Sequence, residues 1–390
     1  MYKPRVIVIG AGFTGVALAY DLARRGLDVV VLERGPLVNG TSGRTHGLLH
    51  SGARYAVDDP ESAVECIQEN IILSRIVPEV IEPNGGLFIA LNEQDMNYRE
   101  EFLAGCARCG IPTRELTPRQ ALELEPHLNP QLKTAVTVPD AAFDPLRLAM
   151  AFTASAQFYG AQFRLFCEVI GLTGNHSSQI SAVQFNNRIT GREEVIEGDI
   201  VVNAAGVWAG KIAGMAGNIH LPIRPTPGIM VTYDKRLCQL VINRFNKPGD
   251  GDIIVPQRHF ITVGTTSFEA DDLDYIPVVQ EQIDLMYERG CELIPDIKHT
   301  NQRAAFMASR PLLDSEAVGG SLTRTFKCFD HKIRDGIDGL VTITGGKATT
   351  MRLMAEKTAD IVCKKLGWQA ECTTKENILH SYREFIFQND

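Results

Sequence analysis

The 390-residue sequence has no apolar run approaching the roughly 18 residues that a bilayer-crossing segment needs, so no spanning helix is expected. It has no positive excess either. Lys and Arg number 39 against 47 Asp and Glu, a net charge of -8, and no local basic patch offsets it. A nucleic-acid backbone would find no attracting field, which excludes nucleic-acid binding as the main function. The first residues run straight into an apolar strand, without the separate charged, apolar and cleavage regions of a signal peptide. The chain is therefore expected in the cytoplasm, attached to the inner face of the membrane at most peripherally. Cysteine clusters are also lacking. Nine cysteines, an odd number with no export signal, point to free thiols rather than a disulfide framework. The close pair Cys106 and Cys109 has no second pair to complete a zinc or iron–sulfur site, and is read as structural. Repeats and low-complexity stretches are absent, and only the last fifteen or so residues read as loose.

What is present is an ordinary globular composition, 44% hydrophobic and 22% charged, in a chain long enough for two cores. Residues 5 to 33, RVIVIGAGFTGVALAYDLARRGLDVVVLE, read as strand, glycine turn, helix and strand. The continuous apolar run Val6 to Ile9 suits a strand buried on both faces of a parallel sheet. Gly10, Gly12 and Gly15 follow at GxGxxG spacing. They allow in turn a tight turn, close approach to a pyrophosphate, and close packing of helix on strand. The helix start presents free amides and its positive dipole end to phosphates. The helix is expected to run to about Arg25, with Gly26 ending it, and the next strand to cover Val29 to Leu32. Glu33 closes that strand, where a carboxylate accepts from both ribose hydroxyls and repels a 2′-phosphate. The ligand is thus the adenosine diphosphate moiety of FAD or NAD.

Two remote segments favour FAD. DIVVNAAGVWAG, residues 199 to 210, is a buried strand ending in the small residues Ala204, Ala205 and Gly206. GLVTITGGKATTMRLMAEKTADIVCKKL, residues 339 to 366, repeats the strand, glycine, helix pattern with Gly345 and Gly346 at the turn. A helix start there directs its positive end at a flavin ring, which gains negative charge on reduction. Segments GLFIAL, RPTPGIMVTYD and DGDIIVPQRHFITVGTT carry the alternation and boundary residues of an antiparallel sheet. Asp144-Pro145 opens a helix that Gly160 closes, and another helix starts near Asp59-Pro60.

These segments, together with THGLLHSGARYAV and SRPLLD, resemble the FAD-dependent oxidases and dehydrogenases of the D-amino-acid oxidase (DAO) and glycerol-3-phosphate dehydrogenase superfamily. Within it they are most similar to the catalytic A subunits of anaerobic glycerol-3-phosphate dehydrogenases, over residues 1 to about 374. The resemblance implies an α/β fold, DAO/glutathione-reductase-like. A discontinuous Rossmann-type FAD-binding domain (1–82, 140–220 and 326–374) accompanies an antiparallel-sheet substrate domain (83–139 and 221–325), with a tail at 375–390. It places THGLLHSGARY beside the flavin, with Gly47 and Gly52 letting the backbone lie flat and Thr41, Ser42 and Thr45 donating to pyrophosphate and flavin edge atoms. Further FAD contacts fall on Phe13, Thr14, Arg34, Leu49, Val169, Trp208, Ala348, Thr349 and Thr350. His46 reads as a flavin neighbour or structural hydrogen-bonder, and His50 as a base near neutral pH or a loop residue. Tyr55 can donate to a hydroxyl. Arg54 reads as a phosphate ligand, because a buried loop cation without an anion is costly. Arg310, held extended by the following proline, can grip phosphate or carboxylate bidentately. Lys347 can stabilise an alkoxide or an anionic reduced flavin. Arg352 reads as a helix-surface charge.

The implied activity is FAD-dependent oxidation of sn-glycerol 3-phosphate to dihydroxyacetone phosphate by hydride transfer to flavin N5, with electrons passed to a quinone or partner subunit. The alternatives are oxidation of another 2-hydroxy acid or polyol phosphate such as 2-hydroxyglutarate, and a flavoprotein subunit with no substrate of its own. The A subunits continue into a cysteine-rich iron–sulfur domain that this sequence does not contain. A shortened chain, a naturally short relative, and a separately encoded iron–sulfur or membrane-anchoring partner each fit.

Overall fold

The strand Arg5–Ile9 is apolar on both faces because both are covered: Val6, Ile7 and Val8 have no exposed surface. In the computed structural model, which describes residues 2–174, 178–249, 251–268, 272–314, 322–323 and 325–387, it lies inside a six-stranded sheet. The order is Phe326–Asp330, Leu340–Gly345, Ile200–Asn203, Arg5–Ile9, Asp28–Glu33 and Gln162–Leu165. All neighbours are parallel except the first pair. Register pairs Val8 with Val31 on one side and with Val202 on the other. The helix Phe13–Arg24 packs against helices Pro145–Phe158 and Met351–Leu366. A smaller antiparallel sheet, Cys167–Thr173, Ala182–Asn187 and Arg192–Glu197, shares a core with the large one.

These elements form one of two compact units, residues 1–43, 145–225 and 310–390; the other comprises 44–144 and 226–309. The second unit is built on a sheet in which Ile223–Tyr233, Phe260–Gly264, Ile253–Gln257, Val241–Arg244, Gly86–Ala90, Thr134–Val138 and Arg114–Leu116 follow in order. Its pairs are antiparallel but for one parallel pair, Val241–Arg244 with Gly86–Ala90. Residues 44–82, expected with the nucleotide domain, sit compactly in this unit. Leu48–Leu49 pairs with Ala141–Phe143, and helix Pro60–Ile76 shares a core with Phe88, Phe102 and Phe245. Cys106 and Cys109 lie in that same core, and burial pushes the Cys106 thiol up to about 12.

Local signals and elements agree closely at helix ends. Asp59 caps Pro60–Ile76 through the Ser62 amide, and the helix opened by Asp144-Pro145 ends at Phe158, just before Gly160. Two further expectations fail. The tail is not loose: through residue 387 it is held on helix Pro145–Phe158, with His380 stacked on Phe158 at 4.1 Å, Arg147 over the Tyr382 ring, and Gln157 bonded in both directions to the Ile386 backbone. Its polar composition disguises these local partners; 388–390 lie outside the described residues. Nor is Arg352 a surface charge, being 2% exposed and bonded to Glu356 and Thr374. Among the described residues no helix is long and apolar enough to cross a membrane.

Phe88, Phe102 and Phe245 form a closed aromatic trio with centroid separations of 4.5, 5.0 and 5.9 Å. Phe102→Ala is expected to cost about 3–5 kcal/mol of stability in urea melts, because the surrounding core cannot collapse into the space.

Candidate functional site

Unit 1 gathers three segments that are far apart in sequence. At the first, the Gly15 backbone presses so closely on the strand end that an added Cβ would stand 1.9 Å from Gly10 O. The second meets the first where the Ala204 amide donates to Ile9 O at 2.9 Å. The third joins through the Thr344 hydroxyl, which reaches Gly206 O at 3.4 Å, and through Met354, whose sulfur accepts from Thr14 Oγ1 at 3.9 Å. Gly345 and Gly346 both take positive φ, turning the chain from the strand into Ala348–Thr350, where Thr349 and Thr350 are fully buried. The Lys347 amide donates to Thr350 Oγ1.

The start of helix Phe13–Arg24 suits an anion. Gly12 offers no capping side chain and the first turn carries no acidic residue. Ser42, expected to donate to pyrophosphate, accepts the Phe13 amide at 3.0 Å, a contact that leaves its own proton available for donation. Glu33 is partly engaged already. Its two oxygens accept the Ala11 and Gly35 amides at 2.9 Å each. Burial pushes this carboxyl above its usual range, and those two amides oppose the shift. Arg34 lies 4.1 Å over the Trp208 ring, joining two predicted contacts. Val169 is 6% exposed in the core shared by both sheets of this unit, so the position offers backbone rather than side chain. Arg310 lies half-buried in the long strand Gln302–Asp314.

Unit 2 holds THGLLHSGARY, which is a short strand and a turn rather than an open loop. Gly47 adopts φ +77 with Gln257 Nε2 against it, and no side chain would fit. Gln257 Nε2 donates to His46 O and Phe143 O, and the Phe143 amide to Gly47 O. The Leu48 amide donates to His46 Nδ1 at 3.2 Å, so His46 serves the loop's own structure. His50 lies 5.3 Å from Tyr55 and 6.3 Å from His46 between ring centroids. Ser51 N–H donates to Asp140 at 2.7 Å. Sequence reasoning does not single out Gln257 and Asp140. Their only signal is membership in or beside strand segments, and nothing in a strand pattern marks which polar residue turns inward.

Arg54 requires a correction. Its side chain is 9% exposed and its guanidinium donates to both oxygens of Asp252, at 2.7 and 2.9 Å, and to Gly249 O at 3.2 Å. Burial works against this charge, but the Asp252 carboxylate, with lesser contributions from Tyr55 and Tyr98, holds the guanidinium above its ordinary pKa. The buried cation has an internal anion, which removes the argument from an unmatched charge for a substrate phosphate, while its Nη1 is buried without a hydrogen-bond partner among the described residues.

Residues 5–361 match the model of the FAD dependent oxidoreductase family, DAO. The chain belongs to that family. It is 42% identical over 402 residues to the A1 subunit of the anaerobic glycerol-3-phosphate dehydrogenase of Haloferax volcanii, covering 100% of this chain and 68% of the relative. It is also 42% identical over 383 residues to the A subunit of the Escherichia coli K12 anaerobic enzyme, covering 97% and 70%. Solved structures share the DAO fold. Glycerol-3-phosphate dehydrogenase from Bacillus halodurans complexed with FAD aligns with TM-score 0.76 at 23% identity, covering 97% and 68%. L-alpha-glycerophosphate oxidase from Mycoplasma pneumoniae with FAD bound gives 0.77 at 20%, covering 97% and 99%. FAD is the family's cofactor, and unit 1 fits it. The uncapped helix start would face the phosphates and Glu33 the ribose, and a Cβ at Gly206 would meet no atom within 4 Å beyond its chain neighbours.

The internal pairing of Arg54 has a testable consequence. Asp252→Ala, which leaves a buried charge unmatched, should cost about 3–5 kcal/mol, whereas Arg54→Met combined with Asp252→Leu should regain most of it. Urea melts of the three proteins decide this, and a fully stable Asp252→Ala would refute the pairing.

Proposed function

We propose that this chain oxidises sn-glycerol 3-phosphate to dihydroxyacetone phosphate. The observation that carries the reading is 42% identity to the A subunits of anaerobic glycerol-3-phosphate dehydrogenases along essentially the whole chain. When bound, the flavin supplies at N5 the two-electron acceptor for the hydride leaving C2. The chain's own residues bind the anion and move the proton. Arg310 grips the phosphate, its planar fork matching two oxygens at once. His50 takes the C2 hydroxyl proton, a task suited to a group whose ordinary pKa lies near neutrality. Tyr55, 5.3 Å away between rings, supports it. Lys347 offsets negative charge that develops during transfer. Arg54 is left out of phosphate binding, because Asp252 already matches its charge.

The relatives are named as subunits, which implies an assembly with further subunits. Passage of the electrons onward, through an iron–sulfur or membrane-anchoring partner to a quinone, belongs to this proposal.

Anaerobic addition of sn-glycerol 3-phosphate should bleach the bound flavin, while 2-hydroxyglutarate leaves it yellow. Bleaching by the hydroxy acid alone would transfer the assignment to that substrate. Arg310→Ala should raise KM at least tenfold, the loss of roughly 1.4 kcal/mol or more of anion binding, with flavin content unchanged. An unaltered KM would remove Arg310 from this role.

A further inference from the structure

We infer that Asp140 and Asn70 are positioning residues for His50, because each fixes one of the two peptide planes flanking its Cα. This rests on the reading of His50 as the base. Asn70 Nδ2 donates to Leu49 O at 3.1 Å, in the peptide before His50; Ser51 N–H donates to Asp140 Oδ1 at 2.7 Å, in the peptide after it. A peptide is planar, so holding one of its atoms orients the whole unit, and holding both neighbours sets the φ and ψ from which the imidazole projects. The two anchors are themselves tied together. Asn70 Nδ2 also donates to Pro139 O at 3.2 Å, next to Asp140, and Asn243 Nδ2 donates to Asp140 Oδ2 at 3.3 Å.

Every member is buried: Ser51 and Asn243 are 0% and 1% exposed, Asp140 and Asn70 5% and 6%. An apolar contact would hold a loop in place at no desolvation cost, whereas a buried carboxylate is expensive unless well bonded. What the carboxylate adds is direction, a hydrogen bond with a defined line from one oxygen to one amide. The orientation extends to Tyr55, since Ser51 Oγ accepts the Ala53 amide at 3.4 Å at the start of the turn Ala53–Tyr55. A base misplaced by about 1 Å can lose on the order of a hundredfold in rate.

The test uses the FAD-loaded protein and the exchange Asp140→Asn with Asn243→Asp. Asp140→Asn alone sets two amide groups against each other at the Asn243 contact, and the double exchange restores one donor facing one acceptor with the same net charge. Asp140→Asn is expected to lower the limiting rate of anaerobic flavin reduction by sn-glycerol 3-phosphate roughly 10- to 100-fold. KM and flavin content should change less than about threefold, within uniform binding. Amide exchange of residues 48–53, followed by mass spectrometry, should rise with the rest of the protein unaltered. The double exchange should restore both rate and protection, and Asn70→Ala should reproduce the single variant's pattern from the other peptide. If Asp140→Asn does not fold, Asn70→Ala and the double exchange decide the matter. A single variant that reduces its flavin at the wild-type rate, or one whose lost rate follows lost flavin, overturns the inference. Wild-type flavin that sn-glycerol 3-phosphate does not bleach instead overturns the functional reading, and amide exchange then still decides whether Asp140 and Asn70 hold the peptides around His50.

Discussion

Much of unit 1 depends on a backbone contact: the helix Phe13–Arg24 starts hard against the end of the first strand, with no room at Gly15 for even one carbon atom beyond Cα. That closeness brings the helix start to the end of the sheet where the second and third glycine-bearing segments also arrive. A parallel sheet collects strand ends from distant parts of the chain on one side. The cofactor cradle is therefore a product of topology as much as of any one residue.

Unit 2 solves a different problem. Its chemistry-bearing segment buries Leu48, Ala53 and Tyr55 in apolar clusters, and polar groups fix the backbone and the cation between them: Gln257 and Asn70 on carbonyls, Asp140 on an amide, Asp252 on the Arg54 guanidinium. Each of these would be costly left unbonded away from water, and each is bonded.

The nucleotide end is legible in the sequence because its demands are local. A tight turn, a helix packed on a strand, and a carboxylate at a strand end each leave a mark within a short span, and Gly10, Gly12, Gly15 and Glu33 carry those marks. Helix boundaries at Asp59-Pro60 and Asp144-Pro145 are legible for the same reason. The role of Arg54 is not, because its anion, Asp252, lies 198 residues away, and pairing across such a distance has no signature in spacing. Asp140 and Gln257 are hidden on like grounds, since strands alternate faces and a polar residue facing inward resembles one facing out. Arg352 and the segment after Lys375 look solvated in the sequence because their partners, Thr374 and the helix Pro145–Phe158, are assembled only by the fold.

The placement of the cysteines bears on how the protein ages. Six of the nine thiols are buried and three half-buried, and for Cys106, Cys109, Cys167, Cys238, Cys291, Cys328, Cys363 and Cys372 burial holds the proton on. The deprotonated form is what peroxide attacks. Were a reduced flavin in this chain to meet oxygen, the peroxide released would find these sulfurs buried or half-buried and held in their less reactive, protonated form.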